Sequence, residues 1–263
     1  MKLWIQLPSQ RGKDRVQFRP YLDIVNTVKR LDTEVSFQAV PRGLGLSALA
    51  GFGYYGVRFM NDREILRSAC RAESEGYDGV VIACYFDPAV RAARQLLSLP
   101  VVGIAEASML MAGLMGLRFA VVTSDRRYVE DMAETAMLYG MEARAIEPRP
   151  VRAIGMGEQE FLGCLGGEFG PLVEDFSRVA SGCIQDGAQV VIAGCGLMSP
   201  ALTQAGLREI DGIPVIDPVI AGIKVLEMMV DLKRAGLPTV SRRGLFEQVP
   251  AQILEDARRA GLF

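Results

Sequence analysis

The sequence predicts an α/β fold of two pseudosymmetric lobes, each with a mainly parallel sheet flanked by helices, and a functional site in the cleft between them. Three observations predict it. Short β-rich runs alternate with longer helical patterns. Runs such as Val80-Val81-Ile82-Ala83 are apolar throughout, as in strands of a parallel sheet that are buried on both faces. A weak internal repeat also relates the two halves of the chain.

The strands are expected where β-branched and apolar residues cluster between turn signals. The helices between them carry their own start and stop signals. Asn61-Asp62 is expected to begin one helix that Gly76 ends, and a second is expected to run from about Tyr128 to Gly140. The predicted strands cover residues 3–7, 34–40, 79–83, 101–104, 119–123, 142–146, 190–193 and 215–216.

In both copies of the repeat, a buried strand is followed by a cysteine, a helix start and a strand that begins after proline. The first copy reads GVVIAC at 79–84, DPA at 87–89 and PVVG at 100–103. The second reads VVIAGC at 190–195, SPA at 199–201 and PVID at 214–217. The alternative is that any two βαβ units look somewhat alike. If the copies are equivalent, residues 1–104 with 217–263 form a lobe carrying Cys84, and 105–216 form a lobe carrying Cys195.

Composition limits the classes of function. The chain has 263 residues and a formal net charge of −2, so no basic surface is expected to bind nucleic acid. No apolar stretch is long enough to cross a membrane, and Pro8 ends the short N-terminal apolar run. We therefore expect a cytoplasmic protein without membrane contact, forming a homo-oligomer, whose partner is a small-molecule substrate.

The chain has five cysteines and no histidine. The cysteine spacings match no zinc pattern, so no metal site is predicted and free thiols in a reducing compartment are expected. Without histidine, Ser-His-Asp and Cys-His catalysis are excluded. Proton transfer must then come from Cys, Asp, Glu, Lys or Tyr.

Cys84 and Cys195 stand out because each follows a buried strand and precedes a predicted helix N-terminus. Unpaired amides and the helix dipole at such a position should lower a thiol pKa toward the working pH of an acid–base group. Purely structural roles are expected for Cys70, Cys164 and Cys183.

The residues around these two cysteines also predict their local structure. Asp87 and Ser199 are predicted N-cap residues, and the prolines that follow them suit the first helical position. Gly194 and Gly196 flank Cys195, so their amides could hold an anion close to the backbone.

Five segments together resemble the Asp/Glu/hydantoin racemase superfamily, and hydantoin racemases most closely. The resemblance spans about 76–224. It implies a cofactor-independent isomerase with two α/β lobes, in which one thiolate removes a proton from a carbon next to a carbonyl or carboxylate and the other thiol reprotonates the opposite face. The segments are GYDGVVIACYFDP at 76–88, PVVGIAEA at 100–107, RFAVVT at 118–123, GCGLM at 194–198 and PVID at 214–217.

The resemblance also implies which residues contact substrate. Thr123 and Ser124 match positions that bind substrate oxygens, and the backbone around Tyr85, Phe86 and Gly196 is expected to stabilise an enolate-like intermediate.

The chain departs from the family after its first strand. Pro8 and Ser9, in Leu-Pro-Ser-Gln, stand where hydantoin racemases usually have the substrate-contacting Asn-Pro-Asn-Thr. This departure favours a larger or less polar ring, with Phe52, Tyr54 or Tyr55 near it.

Three other functions stay open. Maleate cis-trans isomerases share the scaffold and keep both cysteines, whereas arylmalonate decarboxylases keep only the second, so Cys84 disfavours decarboxylation. A two-lobed ligand-binding protein without catalysis is a third alternative, although a binding cleft needs no thiols. The GFGYYG run at 51–56 matches a dinucleotide fingerprint, but we interpret it as a flexible loop because no strand precedes it directly.

Overall fold

The computed structural model describes residues 1–10, 16–41, 43–44 and 51–261 and confirms the α/β prediction. The first sheet contains β1 (Lys2–Gln6), β2 (Glu34–Gln38), β3 (Gly79–Ile82) and β4 (Val101–Gly103), all parallel, in the order β2-β1-β3-β4. The second contains β5 (Phe119–Thr123), β6 (Val151–Ala153), β7 (Val190–Ala193), β8 (Glu209–Ile210) and β9 (Ile213–Ile216), in the order β6-β5-β7-β9-β8. Only β8 runs antiparallel to its neighbour. Without β8 the two sheets have equivalent orders.

Helices cover both sheets. Tyr55 begins the second helix, six residues before the predicted start, whereas Gly76 (φ 76°) and Gly140 (φ 68°) lie at the predicted helix ends in the left-handed conformation that glycine favours. The helices are α1 (Arg19–Val28), α2 (Tyr55–Ala69), α3 (Arg71–Ser74), α4 (Val90–Leu96), α5 (Ile104–Met115), α6 (Val129–Leu138), α7 (Glu158–Cys164), α8 (Gly170–Gln185), α9 (Met198–Gln204), α10 (Pro218–Arg234) and α11 (Ala251–Arg259).

The predicted strand at 142–146 is wrong. Glu142–Arg144 form a 3₁₀ turn soon after α6, and Ala145 makes only an isolated bridge to Phe119. Pro148 and Pro150 follow and have no amide hydrogen to donate to a ladder. The strand that pairs with β5 therefore begins one residue after the second proline, at Val151.

Helices α5 and α10 pack against each other and connect the two halves of the core. Helix α5 follows the first sheet in sequence but contacts strands β5, β7 and β9 of the second. Helix α10 follows the second sheet and contacts strands β3 and β4 of the first. One apolar core therefore contains residues of both sheets, for example Val81 and Ile192. Within the described part of the chain, no helix has the length and apolar character needed to cross a membrane.

Candidate active site

A cavity of about 590 Å³, including its open mouth, lies where the carboxyl ends of the two sheets meet. Cys84, on the loop after β3, and Cys195, on the equivalent loop after β7, both line this cavity. Both residues are half-buried. Segments after β1 and β5 complete this part of the wall, so all four contributions come from strand ends, where parallel α/β sheets place their sites. The lining residues at the strand ends are Leu7, Pro8, Ser9, Ala83, Cys84, Tyr85, Phe86, Ser124, Gly194, Cys195, Gly196 and Leu197.

Helical and loop segments supply the rest of the wall, which is largely aromatic. Phe86 and Tyr128 pack edge to face, with ring centroids 5.2 Å apart. Sequence reasoning missed Tyr21 and Tyr128. The available signal was that Tyr21 shares the buried face of α1 with Ile24 and Val25, and that Tyr128 directly precedes α6. The residues of this wall outside the strand ends are Phe18, Tyr21, Phe52, Tyr128 and Met132.

Among the predicted catalytic and substrate-contacting residues at the strand ends, Thr123 does not line the cavity. Its buried hydroxyl donates to the carbonyl oxygen of Gly194 at 3.1 Å, which ties the end of β5 to the Cys195 loop. Of the three aromatic residues expected near a substrate ring, Phe52 lines the cavity. Tyr54 and Tyr55 are exposed and lie outside it.

The expectation that the pKa of the Cys84 thiol is lowered is wrong, because the pKa is raised. Burial raises the pKa of Cys84 to about 12, and the nearby Asp62 carboxylate raises it further, while the backbone amide of Phe86 acts in the opposite direction. The helix after Cys84 begins only at Val90. Because the effect of a helix N-terminus falls off within one turn, it does not offset the burial of this sulfur.

The predicted N-cap role of Asp87 is also wrong. Asp87 has a φ of 47°, and its carboxylate accepts hydrogen bonds from the amides of Ala105 (3.0 Å) and Glu106 (2.9 Å), in the first turn of α5. The hydroxyl of Tyr139 donates a third bond at 2.9 Å. Burial raises the pKa of this carboxyl to about 7, against the lowering effect of its three donors. Asp87 therefore anchors the Cys84 loop to a helix that packs on the other sheet.

Ser199, predicted as the second N-cap, lies inside α9. Its hydroxyl donates to Asp217 at 2.8 Å, and Asp217 caps α10 by accepting from the amide of Val219 at 2.8 Å. Gly103 occupies the equivalent cap position before α5, and a Cβ there would lie 2.2 Å from the carboxyl carbon of Asp87. A buried carboxylate therefore lies at the start of both α5 and α10. Asp217 supplies it for α10 as the residue just before the helix, whereas Asp87, from the Cys84 loop, supplies it for α5.

The Cys195 loop packs too closely to accept a side chain at Gly194. The Gly194 amide donates to the carbonyl oxygen of Val122 at 2.8 Å, so it is not available to hold an anion as the sequence suggested. A Cβ at this position would lie 2.4 Å from Cγ1 of Val121 and 3.4 Å from the Tyr85 ring. Glycine therefore allows the two cysteine loops to approach each other.

Gly194→Ala is expected to lower the free energy of unfolding by about 2 kcal/mol, because the added methyl overpacks a closed part of the core. Urea denaturation measures the change. Gly163→Ala is the matched control: Gly163 is exposed within α7, with no atom near the added Cβ, and should be stabilised by up to about 1 kcal/mol. Equal stability changes in the two variants would contradict this account of the Cys195 loop.

Comparisons with known proteins agree on one family. The Asp/Glu/hydantoin racemase family model matches residues 57–226. The chain is 32% identical to a hydantoin racemase from Pseudomonas sp. (strain NS671) over 77% of this chain and 76% of that protein. It is 33% identical to a hydantoin racemase from Rhizobium meliloti, over 60% and 63% of the two chains. The structure is similar to that of an allantoin racemase from Klebsiella pneumoniae, with a TM-score of 0.75, 26% identity and coverage of 95% and 94%.

Proposed function

Because the chain belongs to the Asp/Glu/hydantoin racemase family, we propose that it racemises a cyclic, amino-acid-derived carbon acid, with Cys84 and Cys195 as the two bases. The observation that carries the mechanism is the placement of both cysteines, on equivalent loops of two equivalent sheets, in the wall of one cavity. A planar intermediate held between them would present one face to each sulfur.

The reaction needs one thiolate and one thiol at the start. The thiolate takes the proton from the carbon next to the carbonyl, and the bonding electrons pass into an enolate. The opposite thiol then donates its proton to the other face of the carbon, which leaves the two cysteines with exchanged protonation states. Backbone amides of the cysteine loops and the hydroxyls of Ser9 and Ser124 are the candidate donors to the enolate oxygen.

The cavity wall favours an apolar substituent on the reacting carbon. Phe18, Phe52, Phe86 and Tyr128 provide aromatic surface around the two cysteines, which suits a five-membered ring with an aromatic substituent. The buried Ser9 hydroxyl has no hydrogen-bond partner in the described part of the chain, so a ring carbonyl or amide can satisfy it. A hydantoin with an aromatic substituent fits these walls better than allantoin, whose ureido group needs several polar partners.

The test of this function is incubation with each enantiomer of 5-benzylhydantoin in D₂O. We expect the optical rotation to decay to zero from both enantiomers, with deuterium at the reacting carbon, at a rate far above that without enzyme. The Cys84→Ser/Cys195→Ser double variant controls for spontaneous racemisation. The enantiomers of allantoin, measured in parallel, should react at least about tenfold more slowly in kcat/KM, which corresponds to about 1.4 kcal/mol of discrimination. Decay no faster than in the double variant would contradict the proposed function.

A further inference from the structure

Helix α1 places Tyr21 in the wall of the cavity that contains the two cysteines. Tyr21 lies in the first turn of α1, directly after Pro20, and Ile24 and Val25 lie on the same buried face. The helix packs against α9 and α10. On its other side the Tyr21 ring meets the ring of Phe37 edge to face, with centroids 5.9 Å apart. These contacts fix the ring, and the residue is only 2% exposed.

The hydroxyl of Tyr21 has no explanation in the packing of the fold. It is buried and has no hydrogen-bond partner among the described residues. Phenylalanine would make the same ring contacts without burying an unpaired hydroxyl. Because buried polar groups are nearly always paired with protein or with a bound molecule, the partner of a hydroxyl in a cavity wall is expected to be a ligand atom.

Hydroxyl groups matter in this wall because part of the backbone is already used. The amides of Gly194 and Cys195 donate to carbonyl oxygens of the fold, at 2.8 and 2.7 Å. Ser9 and Tyr85 also line the cavity and have buried hydroxyls without a partner in the described part of the chain. Tyr85 differs from the other two, since its hydroxyl lies next to Ser108 of α5. Side-chain donors such as Tyr21 are therefore needed for a charged oxygen in this cavity.

We propose that Tyr21 is a catalytic residue whose phenol donates a hydrogen bond to the enolate oxygen formed during racemisation. The assignment rests on the proposed function. When a thiolate takes the α-proton, the electrons of the C–H bond form a carbon–carbon double bond, and the π electrons of the carbonyl move onto its oxygen. This oxygen gains charge that it lacks in the substrate, so a donor in a buried wall stabilises the intermediate more than the substrate.

The Tyr21 phenol remains protonated while it acts. Burial raises the pKa of Tyr21 well above its usual range, and negative charge on Asp217 and Cys84 raises it further. Tyr21 is therefore a hydrogen-bond donor only. Its O–H bond is not broken, and the protons that move are those of the substrate and the two cysteines.

Tyr21→Phe removes the hydroxyl and keeps the ring. With 5-benzylhydantoin we expect kcat to fall by about 100-fold, the usual effect of losing one donor to an oxyanion, and KM to change by less than about threefold. The midpoint of urea denaturation should stay the same or rise, because an unpaired buried hydroxyl is lost. A raised KM with parental kcat would assign Tyr21 to ground-state binding, and a lowered urea midpoint with parental kcat would make it a packing residue. Either result would overturn the proposal.

Ser68→Ala is the matched control. Ser68 of α2 also has a buried hydroxyl without a partner in the described part of the chain, but it lies outside the cavity wall. Its replacement should affect the urea midpoint as little as Tyr21→Phe does and leave kcat and KM unchanged. A loss of kcat as large as that of Tyr21→Phe would show that the effect does not depend on the cavity, and the proposal would be wrong.

Binding of a stable enolate tests the assignment without turnover. Pyrrolidine-2,4-dione, which forms a planar five-membered enolate anion, and pyrrolidin-2-one, a neutral lactam of the same ring size, are compared by calorimetry. Tyr21→Phe should weaken binding of the enolate by at least about tenfold and binding of the lactam by less than about threefold. If the parent does not bind the enolate, or binds it no more tightly than Tyr21→Phe, the proposal is wrong. If the parent binds it through Tyr21 but does not racemise 5-benzylhydantoin, only the proposed function fails.

Discussion

Cys84→Ser and Cys195→Ser are each expected to lower kcat for racemisation by at least about 10³-fold, because serine at either position cannot serve as acid or base near neutral pH. Each variant should still exchange the α-proton of the one enantiomer whose hydrogen faces its remaining cysteine. Deuterium incorporation, measured separately on each enantiomer, should therefore show opposite preferences in the two variants.

Cys70→Ala is the matched control for this pair. Cys70 is a half-buried free cysteine at the end of α2, outside the cavity, and its replacement should leave kcat within about twofold. Full turnover in either serine variant would contradict the two-base assignment. Exchange of the same enantiomer by both variants would replace it with a one-base mechanism.

Asp87→Ala is expected to affect both stability and turnover. Removal of the carboxylate leaves the amides of Ala105 and Glu106 and the Tyr139 hydroxyl without their acceptor. At about 1 kcal/mol for each lost bond, the free energy of unfolding should fall by about 3 kcal/mol in urea denaturation. Because the same carboxylate anchors the Cys84 loop, kcat should also fall by at least about tenfold.

Asp175→Ala separates the two effects of the Asp87 replacement. The Asp175 carboxylate also accepts two backbone amides, from Gly155 (2.7 Å) and Met156 (2.8 Å), but it lies outside the cavity wall. Replacement of Asp175 should lower the free energy of unfolding by about 1–2 kcal/mol and leave kcat unchanged. If Asp87→Ala loses stability but keeps its kcat, Asp87 supports the fold alone.

The central strands were predictable from sequence because burial on both faces leaves a continuous apolar run, as in Val80 to Ile82 and Val190 to Ala193. The edge strands of the second sheet, β6 and β8, lack this signal. β6 has only three residues, with Arg152 at its centre, and β8 has only two. The predicted strand at 142–146 instead had only Ile146 as a β-branched residue, and the prolines that follow it prevent pairing.

The site was predictable only where local sequence determines it. Cys84 and Cys195 were found because the repeat places both after buried strands. The role of Asp87 depends on α5, which is remote in sequence, so the rule for a local N-cap assigned its carboxylate to the wrong helix. The sequence indicates that Tyr21 belongs to a buried helix face and that Tyr128 lies at a helix start, but only tertiary packing brings the two rings to the cavity that contains the cysteines.

The exchange of α5 and α10 between the two sheets has a consequence for biosynthesis. Strands β3 and β4 are translated early, but α10, which covers them, leaves the ribosome only after the whole second sheet. Until then, an apolar face of the first sheet is exposed on the nascent chain, a condition that promotes aggregation or chaperone binding. The same long-range contacts raise the contact order and slow folding. A fragment of residues 1–104 lacks α10, and a fragment of residues 105–263 carries α10 without the strands that it covers, so each fragment exposes apolar surface that the intact chain buries.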